Sequence, residues 1–508
     1  MRRAFPACKA TIPRTSLTYS EMEPLPLLIG PKRVRGGGGV LTSLNPANGE
    51  VNAEISIASG RDVDFAVTTA HSALRHTNWA SLLPQVRTDY LLRIAQKLVE
   101  QADLLAETMM RENGKTLREC KTQARAGAAT FRYYAGMCET LESQLTPSRG
   151  DYLSFTTYEP FGVVAAIVPW NSPVTLAADK IAPALAAGNA VVLKPSEITS
   201  CVSIELGQLF LEAGLPPGLV NVVPGTVKTS SHLVNHPKVN MISFTGGTAA
   251  GRAVAHAAAE NLTPVVLELG GKSPNIVFAD ADLDRAVAGV AAGIFGSLGQ
   301  SCIAGSRLFV EEPIRDAFVS KIVSVAEAIR LGPPADDETQ LGPLASFGHR
   351  DRVQALVESA RAAGARVTAG GLAPKGGVFE KGAYYRPTVL EGMSNDSPVC
   401  QTEIFGPVLS VLPFRDIEDL VEQANDTVYG LACGIWSTDF GKAWNVARRI
   451  DAGTVWINTY RQNSVATPFG GFKQSGWGRE RGPQGLRQYQ QTKSIFLGTG
   501  SSLLSLDR

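Results

Sequence analysis

One cysteine of this sequence stands in surroundings that suit a reactive thiol. Cys302 lies in GQSCIAGSR, residues 299 to 307, among glycines and small polar residues that leave its backbone open to approach. A thiolate that attacks a carbonyl group creates an oxyanion, which needs donors such as a side-chain amide and a backbone N–H. Release of the acyl adduct then needs a base that activates water. The chemistry therefore requires a thiol, an amide and a carboxylate in one place.

Suitable amide and carboxylate side chains occur earlier in the chain. Asn171 lies in PWNSP (169 to 173), at the predicted end of a strand, and Glu268 lies in VLELGGKSP (266 to 274), in an apolar strand that ends at two glycines. Asn171 could hold the oxyanion, and Glu268 could take the proton from water. Each residue also has another interpretation when it is considered alone. Cys302 could be an inert, small apolar side chain, and Asn171 could be a turn former. Glu268 could be a core carboxylate in an ion pair.

Two further segments could bind a dinucleotide. MISFTGGTAAGR (241 to 252) predicts a strand, a glycine turn and a helix, whose N–H groups can face a pyrophosphate, although an ordinary turn has the same pattern. In VVLKPSE (191 to 197), Lys194 ends a buried strand and Glu197 follows three residues later, where both could bind ribose hydroxyls. A carboxylate there repels a 2′-phosphate, so the segment favours NAD over NADP. A solvated Lys/Glu pair capping a helix is the alternative.

Strands and helices alternate along most of the chain, and these elements must position the side chains. Helical spacing of apolar residues runs from about residue 60 to 140, and short β-branched runs then alternate with helical segments. Strands that are apolar on both faces and separated by helices predict a doubly wound, largely parallel sheet. A second series of such runs begins after residue 270. We therefore predict an α/β protein with two α/β domains that divide near residue 270.

The composition argues against several classes of function. The chain has 508 residues and a formal net charge of +1, so no overall field recruits nucleic acid or an anionic membrane. Its longest apolar run, residues 286 to 299, is too short to span a bilayer. Seven cysteines without a CxxC pair and six histidines without an HExxH motif indicate reduced thiols, a cytoplasmic location and no catalytic metal. We expect residues 1–40 to be a disordered leader and linker, with organellar import by this basic N-terminus as the alternative.

Together these motifs resemble those of the aldehyde dehydrogenase superfamily. PWNSP, KPSE, FTGGTAAG, ELGGKSP, GQSC, EIFGPV and PFGGFKQSGWGRE occur in the family's order over roughly residues 41 to 498. The resemblance implies that Cys302 is the nucleophile, Glu268 the general base and Asn171 the oxyanion-binding amide. It also implies a set of cofactor contacts: Trp170, Lys194, Glu197, Gly247, Thr248, Glu403 and Phe405.

The resemblance further implies an architecture and a reaction. It divides the chain into a Rossmann-like NAD-binding domain (41–140 and 161–270), a catalytic domain (271–470) and a small β oligomerisation arm (141–160 and 485–499) that joins homodimers or homotetramers. The reaction would be oxidation of an aldehyde to a carboxylic acid with NAD, or with NADP, through a thiohemiacetal and a thioester on Cys302. Transfer of the acyl group to coenzyme A, and a thiol esterase or hydrolase without redox chemistry, are the alternatives.

The substrate is less constrained by these motifs. The segments that vary across the family read SPVTLAAD (172 to 179) and YRQNSVAT (460 to 467) in this chain. They favour a polar or charged aldehyde, unless their side chains face solvent or a neighbouring subunit. The polar side chains concerned are Ser172, Asp179, Arg461, Gln462 and Asn463.

Overall fold

The first described strands lie earlier in the chain than the sequence indicated. The structure is a computed structural model that describes residues 23–500, so the first 22 residues of the predicted leader lie outside the described part. Strands β1 (Leu27–Ile29) and β2 (Lys32–Val34) form an antiparallel pair at the edge of a large sheet, and every residue of β1 is buried. The prediction of a leader and linker over residues 1–40 is therefore wrong for these strands, because the apolar LLI run pairs with a sheet edge.

The glycines after β2 mark a close backbone crossing where a flexible linker was expected. The N–H of Gly38 donates to the carbonyl oxygen of Ile57 (2.8 Å), and a Cβ on Gly36 would lie 2.2 Å from that same oxygen. Only a residue without a side chain allows this approach. The crossing leads into an antiparallel hairpin of β3 (Val40–Leu44) and β4 (Val51–Ser56).

Four helices follow, as the apolar spacing predicts for residues 60 to 140. Ser59 and Thr116 begin two of them with capping boxes, in which each hydroxyl accepts an N–H three residues ahead and that residue's carboxylate accepts the cap N–H in return. The next elements are α1 (Gly60–Thr77), α2 (Pro84–Glu100), α3 (Ala102–Asn113), α4 (Leu117–Cys138), β5 (Gln144–Thr146) and β6 (Tyr152–Pro160).

Five strands then alternate with four helices and form a parallel sheet. They are β7 (Val163–Ile167), α5 (Pro173–Ala187), β8 (Ala190–Lys194), α6 (Ser200–Glu212), β9 (Val220–Val222), α7 (Val227–Val234), β10 (Met241–Thr245), α8 (Thr248–Glu260) and β11 (Val265–Glu268). Their spatial order is β9-β8-β7-β10-β11, and β1 pairs antiparallel to β9. The order reverses between β7 and β10, which opens a crevice at the carboxyl ends of the strands. PWNSP and the glycine turn follow these two strands.

A second sheet has its own core, which confirms the predicted α/β fold. Its strand order is β14-β15-β16-β13-β12-β18-β19, with parallel neighbours except for β14 and β15. Along the chain, the first core extends to Leu269 and the second begins at Ile276. The elements are β12 (Pro274–Val277), α9 (Leu283–Phe295), β13 (Arg307–Glu311), α10 (Arg315–Ala328), α11 (Phe347–Ala362), β14 (Arg366–Ala369), β15 (Thr388–Glu391), α12 (Pro398–Gln401), β16 (Val408–Phe414), α13 (Ile417–Asn425), β17 (Tyr429–Gly430), β18 (Ala432–Trp436), α14 (Phe440–Ala447) and β19 (Thr454–Ile457).

The last elements return the chain to the first sheet and then leave it. They are β20 (Phe472–Lys473), β21 (Gly476–Trp477), α15 (Gly482–Arg487) and β22 (Gln490–Gly498). Strand β21 pairs antiparallel to β11, whereas β22 forms a three-stranded antiparallel sheet with β6 and β5. These three strands fall in the segments 141–160 and 485–499 that the resemblance assigns to an arm. The start of the second segment differs, because residues 485–487 are helical and Leu486 and Tyr489 are buried in the first core. Within residues 23–500, no helix has both the length and the apolar character needed to cross a membrane.

Candidate active site

A cavity of about 920 Å³ lies where the two sheets meet. Its walls come from the loops after β7 and β10, the turn before β13 and the segment after β19. We call the part lined by Trp170, Gly247, Glu403 and Phe405 the strand half, and the part lined by α4, Ser297, Arg461 and Arg481 the helix half. Six predicted site residues line the cavity: Trp170, Asn171, Gly247, Cys302, Glu403 and Phe405. The other four, Lys194, Glu197, Thr248 and Glu268, lie outside its lining.

Cys302 sits on a tight turn between α9 and β13, at the boundary of the two halves. Ser297, Leu298 and Gly299 all have positive φ (54°, 54° and 65°), and a Cβ on Gly299 would lie 2.1 Å from the carbonyl oxygen of Gly406. The small residues before the cysteine thus allow the backbone of the second domain to pass close by. Among the cysteines of the described chain, Cys302 is half-buried and the others are buried.

The surroundings of Cys302 disfavour its thiolate form on balance. Burial raises its pKa to about 12, and the negative charges of Glu403 and Glu268 add to the effect. Arg481 and the backbone N–H of Ile303 act in the opposite direction, since both stabilise a thiolate. The sulfur therefore needs a base or a nearby cation before it can act as a nucleophile.

Two hydrogen-bond donors belong to the Cys302 turn or lie beside it. Asn171, just after β7, donates one Nδ2–H to the carbonyl oxygen of Gln300 (3.1 Å), which holds its amide beside the Cys302 turn. The second Nδ2–H and the backbone N–H of Cys302 have no acceptor among residues 23–500. This arrangement offers two free donors to an oxygen atom in the cavity.

A buried glutamate, Glu268, and a half-buried one, Glu403, differ in how their carboxyl groups are bound. Glu268 ends β11, and neither of its carboxyl oxygens has a hydrogen-bond partner in the described chain. Burial raises its pKa well above the ordinary value, and the charge of Glu480 adds to the shift. Its carboxyl group lies beside Gly470, behind the cavity wall. Glu403 instead accepts the N–H of Gly271 (3.1 Å), and burial raises its pKa to about 7.

Aromatic rings form one wall of the strand half. Trp170 and Phe405 meet edge to face with centroids 5.3 Å apart, and His349 packs against Trp170 at 5.4 Å. The His349 ring nitrogen Nε2 bonds the carbonyl oxygen of Phe405 (2.7 Å), which supports Phe405 at a positive φ of 59°. The sequence had not indicated His349. The wall provides an aromatic surface in the cavity that Cys302 also lines.

The remaining predicted cofactor contacts lie at strand ends beside the cavity. Lys194 closes β8 and is buried, and its Nζ lies 3.4 Å from the carboxylate of Glu197. Gly247 precedes α8, and a Cβ placed there would have no atom within 4 Å. The hydroxyls of Thr245 and Thr248 are buried without a hydrogen-bond partner in the described chain. The end of β10 therefore has open space at Gly247, with the buried hydroxyl of Thr245 two residues before it.

The helix half contains charged residues that motif reasoning missed. Lys115, Arg118, Glu119 and Gln123 line it from α4 and the residues just before that helix, and Arg481 lines it from the chain before α15. A signal was present in the sequence: the polar residues of α4 recur at three- and four-residue spacing between its apolar ones. Of the polar residues proposed to face the substrate, Ser172, Arg461 and Asn463 line the cavity. Asp179 is buried in an ion pair with Arg481 (2.9 Å), and Gln462 is exposed away from the lining.

A buried polar network lies behind Glu268. Lys180 of α5 donates to the carboxylate of Glu480 and to the hydroxyl of Ser243 (3.1 Å), and Ser243 bonds the hydroxyl of Tyr489 (3.0 Å). Lys180 is fully buried, so its ammonium depends on these partners. Because Glu480 and Lys180 act in opposite directions on the pKa of Glu268, this network sets the electrostatic surroundings of the base candidate.

The fold and the cavity define a class of protein. A sheet with the strand order of dinucleotide-binding domains faces a second α/β domain that contributes an accessible thiol. Comparison with known sequences agrees: the model of the aldehyde dehydrogenase family matches residues 34–495. The chain therefore belongs to the aldehyde dehydrogenase family, which confirms the resemblance seen in its motifs.

Solved structures of the family superpose on most of the chain. PnpE in complex with nicotinamide adenine dinucleotide is 40% identical, with a TM-score of 0.92 over 95% of this chain and 99% of that one. An aldehyde dehydrogenase from Bacillus cereus in complex with NAD+ is 38% identical, with a TM-score of 0.92 over 94% and 97%. A betaine aldehyde dehydrogenase from Staphylococcus aureus with NAD+ is 36% identical, with a TM-score of 0.93 over 94% and 96%.

Proposed function

We propose that this protein oxidises an aldehyde to a carboxylic acid with NAD as the electron acceptor. The observation that supports this most strongly is the position of Cys302, an accessible thiol in the same cavity as the free amide donor of Asn171. Glu268, a buried carboxyl without partners, lies within electrostatic reach of that thiol. The net reaction consumes the aldehyde, NAD and water, and it yields the acid, NADH and a proton.

The strand half fits a dinucleotide. The open N-terminus of α8 at Gly247 and the unpartnered hydroxyls of Thr245 and Thr248 suit a pyrophosphate, because its oxygens would accept their hydrogen bonds. Lys194 and Glu197 at the end of β8 suit ribose hydroxyls, and the carboxylate disfavours a 2′-phosphate. Trp170, Glu403 and Phe405 would line the nicotinamide end of the site. NAD, which is bound in several of the similar structures, would supply the two-electron oxidant.

The first step that the chain itself performs is addition of sulfur to the aldehyde. The thiolate of Cys302 attacks the carbonyl carbon, and the carbonyl oxygen becomes an oxyanion. The second Nδ2–H of Asn171 and the N–H of Cys302 would hold that oxygen, since neither has another acceptor in the described chain. The N–H of Ile303 and the charge of Arg481 stabilise the thiolate before attack.

Hydrolysis of the thioester that would remain on Cys302 after the two-electron oxidation is assigned to Glu268. In its deprotonated form its carboxylate would remove a proton from water, whose oxygen attacks the thioester carbon while sulfur leaves as a thiolate. The side chain must first rotate from its place beside Gly470 towards Cys302. A carboxyl group without hydrogen-bond partners is free to make that rotation. A base of this kind supports water as the acyl acceptor over coenzyme A.

We also propose that the arm joins subunits of this protein. Its strands expose large apolar side chains to solvent, and such a surface is typical of an interface. Phe496→Glu should therefore lower the mass measured by sedimentation equilibrium, while an unchanged mass would contradict this role. The exposed side chains are Leu145 (63%), Ile495 (44%), Phe496 (66%) and Leu497 (55%).

The function is tested by following NADH absorbance with a panel of aldehydes, with and without coenzyme A. We expect turnover with NAD that exceeds turnover with NADP, and a carboxylic acid product whether or not coenzyme A is present. Formation of acyl-coenzyme A would show that the acyl group is transferred to coenzyme A and is not hydrolysed. Ester cleavage without any reduction of NAD by any aldehyde would contradict the redox function.

A further inference from the structure

The helix half of the cavity carries an excess of positive charge. Lys115, Arg118 and Arg461, which we call the basic cluster, line it together with a single carboxylate among the described residues on that side, Glu119. Arg481 also lines this half, but Asp179 neutralises it through two hydrogen bonds (2.9 and 3.0 Å). The basic cluster is therefore the charge that a ligand in this half would meet.

The basic cluster lacks ion-pair partners of its own. Lys115 is 2% exposed, and its ammonium has neither a hydrogen-bond acceptor nor a carboxylate within 4 Å among residues 23–500. The guanidinium of Arg461 donates only to neutral groups, the carbonyl oxygen of Ala292 (3.2 Å) and the hydroxyl of Ser297 (3.4 Å). The Arg118 side chain is exposed at the cavity edge and forms no ion pair within the described chain.

Glu119 offsets only part of the charge of the basic cluster, because its single negative charge, which acts to raise the pKa of Lys115, faces three cations. One of its carboxyl oxygens accepts the N–H and hydroxyl of Thr116, and the other accepts the N–H (3.1 Å) and hydroxyl (2.9 Å) of Ser297. This carboxylate thus accepts hydrogen bonds from four neutral donors and connects the start of α4 to the Cys302 turn. A buried ammonium without a partner is costly, so an anion that enters the helix half would be stabilised there.

The basic cluster lies within reach of a small molecule bound to the thiol. The charge of Cys302 affects Lys115, which places the ammonium in electrostatic range of the sulfur, and Arg461 also acts on Lys115. Arg461 is bonded to Ser297, five residues before the cysteine on the same turn. One compact substrate could therefore place its carbonyl carbon at Cys302 and an anionic group at the basic cluster.

We propose that the substrate is an aldehyde that also carries a carboxylate, namely the semialdehyde of a dicarboxylic acid, with the carboxylate bound by Arg461, Arg118 and Lys115. This inference rests on the proposed aldehyde oxidation and adds a substrate class to it. The basic cluster would repel a cationic aldehyde, so such an aldehyde should be a poor substrate. The guanidinium of Arg481 lies 5.4 Å from the ring centre of Phe469, an aromatic residue of the cavity lining, and occupies one face of that ring.

The experiment compares three small aldehydes of different charge with the full-length protein and NAD: succinic semialdehyde, butanal and betaine aldehyde. We expect kcat/KM for succinic semialdehyde to exceed that for butanal by about tenfold or more at low salt, and to fall towards it as salt screens the charges. Betaine aldehyde should be the poorest of the three. Preference for butanal or betaine aldehyde would overturn the inference.

Variants show whether the basic cluster causes the preference. Arg461→Gln should lower kcat/KM for succinic semialdehyde by about tenfold or more and leave butanal nearly unchanged. Arg118→Gln, at an exposed side chain that tolerates change, should do the same to a smaller degree. Arg125→Gln is the matched control, because Arg125 is an exposed arginine of α4 that does not line the cavity. Equal losses for both aldehydes would contradict a carboxylate site.

A binding measurement separates this inference from the proposed function. Calorimetry with succinate as a non-reactive probe should show binding to the protein with NAD, and weaker binding to the Arg461→Gln variant. If butanal is oxidised but neither preference nor succinate binding is found, the substrate class is wrong and the proposed function stands. If no aldehyde of any charge reduces NAD, the result contradicts both the proposed aldehyde oxidation and the proposed substrate class.

Discussion

The strand half and the helix half of the cavity are built in different ways. Part of the strand half is formed by residues that follow parallel strands, Trp170 after β7 and Gly247 after β10, whereas Glu403 and Phe405 lie between α12 and β16. It offers backbone N–H groups, hydroxyls and aromatic rings. The helix half is formed by long side chains from three separate parts of the chain, represented by Lys115, Arg461 and Arg481. One half thus depends on backbone geometry and the other on side-chain identity.

This difference separates what the fold supplies from what individual residues supply. Any chain with the same strand order and a glycine at the end of β10 presents a similar strand half, because the donors belong to the backbone. The charges of the helix half can change without shifting the ends of any strand or helix. Binding of the pyrophosphate should therefore follow the fold, while the choice of aldehyde should follow a few cationic side chains.

Removal of the thiol should give the largest effect and should spare the strand half. We expect Cys302→Ala to lower turnover by about 10⁴-fold or more, because no other described cysteine lines the cavity, while NAD binding followed by fluorescence stays the same. Cys138→Ala, which removes a buried thiol outside the cavity, is the control and should keep its turnover. Loss of NAD binding in Cys302→Ala would show that the two halves are not independent.

Replacement of the base candidate should give the second largest effect. Glu268→Gln keeps the size of the side chain but removes its basicity, so we expect steady-state turnover to fall by about 10²- to 10³-fold. The first turnover should persist as a burst of NADH in stopped-flow measurements, since oxidation precedes hydrolysis. Glu403→Gln, on the strand half, should raise the KM for NAD without a burst. A burst in both variants would leave the roles of the two glutamates undistinguished and contradict this assignment.

Activity should increase with pH. The pKa of the Cys302 thiol is raised to about 12 and that of Glu268 is also raised, and both groups react in their deprotonated forms. Turnover is therefore lost as the pH falls through a raised pKa, by about tenfold per unit below the controlling value. Steady-state rates at a series of pH values should show this slope for the native protein. A maximum at acid pH would contradict both assignments.

A small change confined to the strand half should give the mildest effect. A Cβ at Gly247 would touch no protein atom within 4 Å, so Gly247→Ala should leave Tm unchanged and raise the KM for NAD by about tenfold through contact with the pyrophosphate. Gly136→Ala, in α4 and equally free of contacts, should keep the KM and add about 0.5–1 kcal/mol of stability. An unchanged KM for NAD in Gly247→Ala would place the pyrophosphate elsewhere.

Most of the strand half could be predicted because its residues lie within short sequence patterns that also indicate strands and turns. Lys194 and Glu197 follow an apolar run, and Gly247 lies in a glycine turn, so their positions at strand ends follow from the alternation of strands and helices. The helix half could not be predicted in the same way. No motif indicated Arg481, and Asp179 was expected to face the substrate, whereas the structure pairs these two residues across 302 positions of the chain.

The N-terminal edge of the fold escaped prediction for a related reason. The run LLI at residues 27–29 is too short to show a period, and the glycines after it suggested a linker. Its burial arises from pairing with β9, nearly 200 residues later in the chain, which no local pattern records. The same limit applies to the buried Lys180 and Glu480, whose pairing depends on the return of the chain through β21.

The amino-acid sequence alone determined the α/β class, the family motifs and the types of the reacting groups, because each depends on residues close together along the chain. Tertiary structure alone decided that Glu268 has no hydrogen-bond partner among residues 23–500 and that Lys115, Arg118 and Arg461 line the same cavity as the thiol. The physical reason is that the burial of a group and the charge around it depend on every element that packs against it. Those elements can be far apart along the chain, so a local pattern in the sequence does not reveal them.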